Sequence, residues 1–372
     1  MRFSYWEKDR LLGQQDIIVI GAGLTGLTAA LQLKKRAPQQ HILVLERGAL
    51  PRGASTRNAG FTCIGAPGEL LADIEQQGAA KTFALVQRRY EGLQRLRSLL
   101  DDDALGYCAT GGTEVFWPEA QAHLRSCVEA LPWLNDELRS LGKVPVYTCG
   151  KASAGLALAP TAIHNAYEGL LHPGKMMQAL LKRAELMGIK ILFGAPVAAL
   201  EGGLRPNVLL EEGETLSAER VLVSTNGFAR QLLPELDIRP VRNQVLLTAP
   251  LSKQALKTGY HLEQGYFYFR PVGQRVLLGG GRNEGGAAEE TDQLGLTKPV
   301  QSRLEQLLSE VVLPGQEVAI EQRWSGILGV GPEKEPLLGE YRRGIWAAVR
   351  LGGMGIALGT ALGQEAANQL QG

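Results

Sequence analysis

The apolar run Ile17-Ile18-Val19-Ile20 leads straight into Gly21-Ala22-Gly23-Leu24-Thr25-Gly26, and an amphipathic segment follows. A second apolar run closes on Glu46, twenty residues beyond Gly26. Strand, glycine turn, helix, strand and acid in this order predict a parallel βαβ unit whose turn receives a dinucleotide. Gly21 permits the tight turn, Gly23 lets the backbone approach a pyrophosphate, and Gly26 lets helix and strand pack closely. The pyrophosphate would sit on the unpaired amides and positive dipole end of the helix starting near Leu24. Glu46 ends the second strand, where its carboxylate can accept from ribose hydroxyls. Residues 17–33 carry no charge, yet their glycines, Thr25, Thr28 and Gln32 argue against a membrane span, as does their length.

Composition narrows the function classes. Of 372 residues, 45% are hydrophobic and 21% charged, an ordinary globular balance with material for two or three domains. A net charge of +1 gives no large field, and the basic clusters Lys34-Lys35-Arg36, Arg88-Arg89 and Arg342-Arg343 are short. They predict no nucleic-acid partner, which would need a broad basic face with interleaved aromatics. Cys63, Cys108, Cys127 and Cys149 form no C-x-x-C pair, and the five histidines show no metal spacing, so no metal site is expected. Glu7, Lys8, Asp9 and Arg10 stand where a secretion signal needs apolar residues, which predicts a cytoplasmic protein.

Periodicity places the remaining elements. Residues 16–20 and 42–46 read as strands around a helix at 24–36 that Pro38 stops. Residues 53–61, glycine-rich and small, read as irregular. Phe83, Val86, Tyr90, Leu93 and Leu96 form a core-facing helical stripe within 79–100. A helix over 173–187 ends at Gly188 in a left-handed cap, followed by strands at 190–193, 197–200 and 219–225. These strands should rejoin the sheet begun at Ile17. Residues 266–270 and 275–279 predict an antiparallel hairpin linked through 271–274. A strand over 344–348 and a helix over 356–370 end the pattern.

Four stretches together carry a resemblance: residues 18–26 with Glu46-Arg47, residues 53–60, residues 220–227, and residues 324–363. On these the chain resembles the D-amino acid oxidase-like (DAO) superfamily of FAD-dependent oxidoreductases, which includes glycine oxidase, sarcosine oxidase and gamma-glutamylputrescine oxidase. The resemblance implies an α/β fold. An FAD-binding, Rossmann-like domain of the glutathione reductase type would hold residues 1–75, 160–227 and 325–372. A second, antiparallel-sheet substrate domain would hold 76–159 and 228–324. It also implies cofactor contacts from Gly21, Gly23, Gly26, Glu46, Arg47, Ser55, Arg57, Asn58 and Val197, and from Gly352, Gly353, Met354, Gly355 and Ile356 beneath the flavin ring. A helix starting near Gly355 would aim its amides where the ring gathers negative charge on reduction.

In such a family a C–H beside nitrogen yields a hydride, and the resulting imine is hydrolysed; the cofactor carries the difficult step. Tyr266, Tyr268 and Arg270 share one face of their strand by two-residue alternation, so they either line the substrate pocket or pack the sheet. Leu328 stands where amino acid oxidases of this group carry an arginine, and a leucine cannot clamp a carboxylate. Either Arg270, Arg323 or Arg350 replaces it, or the substrate is not a plain α-amino acid; the second is favoured. No cysteine follows Cys149, so FAD should be non-covalent, and Leu277 stands at the lysine position of sarcosine oxidase-like members. The electron acceptor is therefore oxygen or another acceptor. The expected activity is oxidation of a small amine or amino acid. The alternatives are a 2-hydroxy acid oxidase or dehydrogenase and a non-catalytic flavin-binding assembly factor; an NAD-dependent dehydrogenase would leave the Arg57-Asn58 loop and Gly352–Gly355 without a role.

Overall fold

The computed structural model describes residues 3–142, 144–254 and 256–371. A six-stranded sheet runs in the order Leu337–Arg342, Ile345–Val349, Arg220–Val223, Ile17–Ile20, Ile42–Glu46 and Lys190–Phe193. All neighbours in it are parallel except the edge strand Leu337–Arg342. Its strands alternate as a sheet covered on both sides must. Ile17, Val19, Ile42, Val44, Leu222 and Ala348 face the helical layer. Ile18, Ile20, Leu43, Leu45, Val221, Val223 and Ala347 face a second core with Val208, Leu210, Leu233, Leu236 and Ile238.

The helix Leu24–Arg36 forms as read from the sequence. It ends at Ala37, whose backbone lies outside the helical region because the ring of Pro38 excludes that conformation from its predecessor. Lys34, Lys35 and Arg36 occupy the last turn, where positive charge complements the helix dipole. This helix packs along the C-terminal helix Gly355–Gln371, which in turn packs on Ala79–Leu100. Small residues set the spacing. A Cβ on Gly363 would strike Thr28 Oγ1 and the Thr25 carbonyl, and one on Gly92 would strike the Ala357 carbonyl.

An eight-stranded sheet forms the second layer, in the order Ile320–Val330, Arg239–Thr248, Arg275–Gly280, Phe267–Val272, Gly259–Leu262, Gly112–Val115, Thr161–Asn165 and Tyr147–Lys151. It is antiparallel apart from the pair Gly259–Leu262 and Gly112–Val115. Val197–Glu201, Asn207–Leu210 and Thr215–Ser217 make a separate three-stranded antiparallel sheet.

Four differences from the sequence reading have physical reasons. Residues Ala54–Arg57 form one helical turn rather than irregular loop, closed by Asn58 N bonding to Ala54 O. The hairpin turn is only Gly273-Gln274, because Pro271 and Val272 remain paired with Val276 and Arg275. Val197–Glu201 joins the small sheet and not the parallel one. The expected domain boundaries at 160 and 325 cut through hydrogen-bonded structure: Thr161–Asn165 belongs to the eight-stranded sheet, and Ile320–Val330 is one continuous strand of it.

Gly363→Val should destabilise the fold, since the added methyl groups meet a carbonyl and a hydroxyl of the facing helix. A loss of about 1–3 kcal/mol or more is expected from such overpacking. A lowered urea midpoint at unchanged denaturant slope would register it.

Candidate active site

The glycine turn is built by mutual close approach. Gly21 sits at φ +105° against the Ser224 backbone, and a Cβ on Gly26 would strike the Gly21 carbonyl. Ser224 Oγ donates to the Ile20 carbonyl at 2.8 Å, which ties the turn to the neighbouring strand end. The first intrahelical bond of this helix runs from Leu27 N to Gly23 O, so the amides before it need other partners. Glu46, 7% exposed, accepts from Ala22 N at 3.3 Å and Gly48 N at 3.0 Å. Ser55 Oγ accepts from Leu24 N at 2.9 Å. The turn is thus held open from both sides by side-chain oxygens.

A cavity of about 550 Å³ runs from this turn to the eight-stranded sheet. Gly21, Gly23, Glu46, Arg47, Ser55, Arg57, Asn58, Val197 and Gly352 through Ile356 all line it, as do Tyr266 and Tyr268. Gly26 does not; it serves the helix–strand contact alone. Several of these side chains are already engaged. Asn58 donates to the Ala54 and Ser55 carbonyls and accepts from Gly60 N, so it shapes the loop. Arg57 donates to the Arg52 and Ser325 carbonyls at 3.1 and 2.9 Å. Arg47 lies 3.9 Å over the ring of Phe228. At the far wall Asn226, at φ +46°, accepts from Arg350 N and Leu351 N and so fixes the approach to Gly352.

Arg270 and Arg323 fall outside the cavity. Arg270 donates to the carbonyls of Ala59, Gly60 and Leu171, a bracket that holds the loop behind the site, and burial lowers its pKa to about 10. Arg323 pairs with Gln301 and Glu305. Arg350 reaches the Glu335 and Asp237 carbonyls and is likewise turned away. Strand alternation is real, but Tyr266 precedes the strand Phe267–Val272, and Arg270 meets carbonyls where Tyr268 meets the cavity. Leu328 lines the cavity beside Gly353.

Sequence reading missed a group of polar residues at the sheet end: Asn243, His261, Arg282, Lys334, Glu69 and Asp73. They lie on five separated segments, Glu69 and Asp73 sharing the helix Pro67–Gln77, with no shared motif, so no local signal marks them. Asn243 Nδ2 donates to the Tyr268 hydroxyl at 3.0 Å, and Tyr268 lies over Gly279, where a Cβ would collide with its ring. His261 Nε2 lies 3.0 Å from Glu168 Oε2, with Phe61 packed on its ring at 5.1 Å between centroids. Burial alone would lower the His261 pKa, but the charge and hydrogen bond of Glu168 override it and raise it. Lys334 bridges Glu69 at 3.1 Å and Asp73 at 2.5 Å. Burial pushes Asp73 up, whereas Arg89 and Lys334 outweigh burial and hold Glu69 down. Cys63 Sγ lies 3.3 Å from Met354 Sδ, and burial pushes its thiol well up.

The cavity fits an extended dinucleotide on evidence of its own. Two helices open onto it with first-turn amides that lack intrahelical partners. Three buried oxygens of cavity-lining residues, Thr225 Oγ1, Asn243 Oδ1 and Asp73 Oδ2, have no hydrogen-bond partner among the described residues. Buried polar atoms are normally satisfied, so such orphans point to a ligand. Among the described residues no cluster of three His, Cys, Asp or Glu could hold a metal, and no helix is long and apolar enough to cross a membrane.

Comparison with known proteins agrees with this geometry. The family described as "FAD dependent oxidoreductase" (DAO) matches residues 16–369. A probable oxidoreductase, OrdL, of Rhizobium meliloti is 23% identical over 94% of this chain and 81% of its own length. A tRNA 5-methylaminomethyl-2-thiouridine biosynthesis bifunctional protein, MnmC, of Idiomarina loihiensis is 25% identical over 96% of this chain, which spans 56% of that protein. Among solved structures, glycine oxidase from Geobacillus kaustophilus superposes with a TM-score of 0.75 at 19% identity, covering 96% of this chain and 95% of that one. Iminodiacetate oxidase from Chelativorans sp. gives 0.74 at 20% identity, covering 95% of each.

The buried acids behind the cavity predict a pH dependence. Desolvation raises Glu114 to about 7, against the hydrogen bond from Gly68 N and the charge of His261. A raised folded-state pKa contributes stability that is full below the ordinary value of 4.5 and is lost as pH rises through about 7. His261, also raised, acts in the same sense above its ordinary 6.5. Stability should therefore fall from about pH 5 to about pH 8, with about 3 kcal/mol from Glu114. Urea titrations of the wild type and Glu114→Gln across that range should show the variant's curve flattened below about pH 7.

Proposed function

Because the chain belongs to the DAO family and is an FAD-dependent oxidoreductase, we propose that it oxidises the C–N bond of a small amine or amino acid. The substrate would lose a hydride to the FAD, and water would hydrolyse the resulting imine. The observation that carries the reading is the continuity of one cavity from the dinucleotide turn to a polar and aromatic end walled by Phe61, Tyr268, Asn243 and His261. Glycine oxidase and iminodiacetate oxidase, both named for amine substrates, share the fold.

The residues divide the work by position. Gly21, Gly23, Glu46, Ser55 and Thr225 would hold the adenosine and pyrophosphate, and Gly352–Ile356 would support the ring. Phe61 and Tyr268, in edge contact at 5.5 Å, form an apolar wall that keeps water from the reacting carbon. Since Asn243 Nδ2 donates to the Tyr268 oxygen, the Tyr268 proton is free to donate elsewhere. Asn243 Oδ1, buried and without a partner among the described residues, would accept from a substrate N–H. His261 is held in place by Glu168, whose charge and hydrogen bond raise its pKa against the effect of burial.

FAD would be held non-covalently. Cys63 is the one cysteine lining the cavity among the described residues, and a buried thiol of raised pKa is a poor nucleophile. The substrate is a small molecule, and the electrons pass on to oxygen or another acceptor. Purified protein should carry a flavin spectrum, and acid precipitation should release all the yellow colour to the supernatant. Anaerobic mixing with a panel of amines and amino acids should bleach it. Bleaching by 2-hydroxy acids alone would move the assignment to hydroxy acid oxidation. Flavin reduced by nothing, with a protein partner co-purifying, would mark an assembly factor.

A further inference from the structure

The four cations lining the cavity among the described residues are Arg47, Arg57, Arg282 and Lys334. Arg57 donates to two carbonyls, and Lys334 lies between Glu69 and Asp73. Arg47 rests on Phe228 next to Glu46, at the dinucleotide turn. Arg282 is its counterpart at the sheet end. Arg282 stacks at 4.7 Å over the ring of Tyr266, and none of its N–H groups has a carboxylate or carbonyl partner among the described residues. Its charge reaches Tyr268, whose phenol pKa burial raises and Arg282 partly restores.

Backbone geometry holds this pair in place. Glu263 and Gln264 both lie at positive φ, +52° and +56°, in a tight turn closed from Leu262 O to Gly265 N. Glu263 is tied down by Trp117 Nε1 at 2.6 Å. Tyr266, next in the chain, accepts from Gly281 N at 2.9 Å, so Tyr266 and Arg282 project from two hydrogen-bonded neighbours. A guanidinium stacked on one face keeps its planar edge of N–H donors free and pre-oriented. That edge suits a carboxylate, which accepts two parallel bonds.

We propose that Arg282, stacked on Tyr266 and beside Tyr268, is the substrate anchor that binds the carboxylate of an amino acid, replacing from the hairpin side the anchor that Leu328 cannot supply. The inference rests on the oxidation proposed above and narrows its substrate to amines that carry a carboxylate. Glu69 and Asp73 do not compete for Arg282, being joined to Lys334.

The test uses the flavin-loaded protein and two readouts. In the first, acetate and propanoate, their neutral amides and methylphosphonate are titrated against the visible flavin spectrum in wild type, Arg282→Lys and Arg282→Gln. Carboxylates should bind and amides should not. Arg282→Gln should weaken carboxylate binding on the order of tenfold to hundredfold, as expected for loss of a charge-assisted bond. Arg282→Lys should fall between, lacking the fork but keeping the charge. In the second, KM for the best amino acid should rise in Arg282→Gln by a similar factor with kcat little changed, while a decarboxylated amine is unaffected. Unchanged carboxylate affinity in Arg282→Gln, or equal binding of amides, would overturn the proposal. Tighter binding of methylphosphonate than of acetate would overturn the choice of a carboxylate. Flavin that no amine or amino acid reduces would sink the oxidation reading instead, and the titration would still judge Arg282 independently.

Discussion

The contact among Gly21, Gly26 and Ser224 governs the rest of the molecule. Helix Leu24–Arg36 can lie this close to the strand ends only because Gly26 offers no side chain to the Gly21 carbonyl. Ser224, bridging to Ile20 and Gly21, brings the neighbouring strand into register at the same point. With the helix seated there, its first amides, Glu46 and Ser55 all converge on one space, and the C-terminal helix closes on it through Gly359 and Gly363. A larger residue at Gly26 would therefore displace both the sheet contact and the ligand-facing amides.

The substrate end obeys a different rule. Charges there are buried but nearly all paired: Glu168 with His261, Glu69 with Arg89 and Lys334, Asp73 with Lys334. Unpaired buried charge is expensive, so pairing is what permits so many ionisable groups behind one cavity. Arg57 and Arg270 have no anion but are held by carbonyls. Arg282, half-buried, has neither a carboxylate nor a carbonyl partner among the described residues, and that gives it chemical content.

Much of the nucleotide half was legible in the sequence because its determinants are local. Glycine spacing, a strand before, a helix after and an acid at the next strand end are fixed by short-range geometry, and Gly21, Gly23, Glu46 and Ser55 all meet the cavity. The periodic helices Leu24–Arg36 and Ala79–Leu100 were equally plain. The substrate half was not. Tyr268 could be placed by alternation, but alternation cannot say that Arg270 would find three carbonyls on the loop behind it. Nor could it bring His261 from the neighbouring strand, or Arg282 from the end of the next one, to the same wall. Those positions follow from sheet order, and sheet order is a long-range property of the chain.

The pairing of Leu24–Arg36 with Gly355–Gln371 also bears on folding. The strand Ile17–Ile20 finds its parallel neighbour Arg220–Val223 some two hundred residues later, and Ile345–Val349 arrives later still. Such contacts close long loops and form slowly. Until Gly355–Gln371 docks, the apolar face of helix Leu24–Arg36 that it covers stays open, and the cleft takes its final shape only with that docking. Retention of the prosthetic group would on this topology follow the long-range contacts and not precede them.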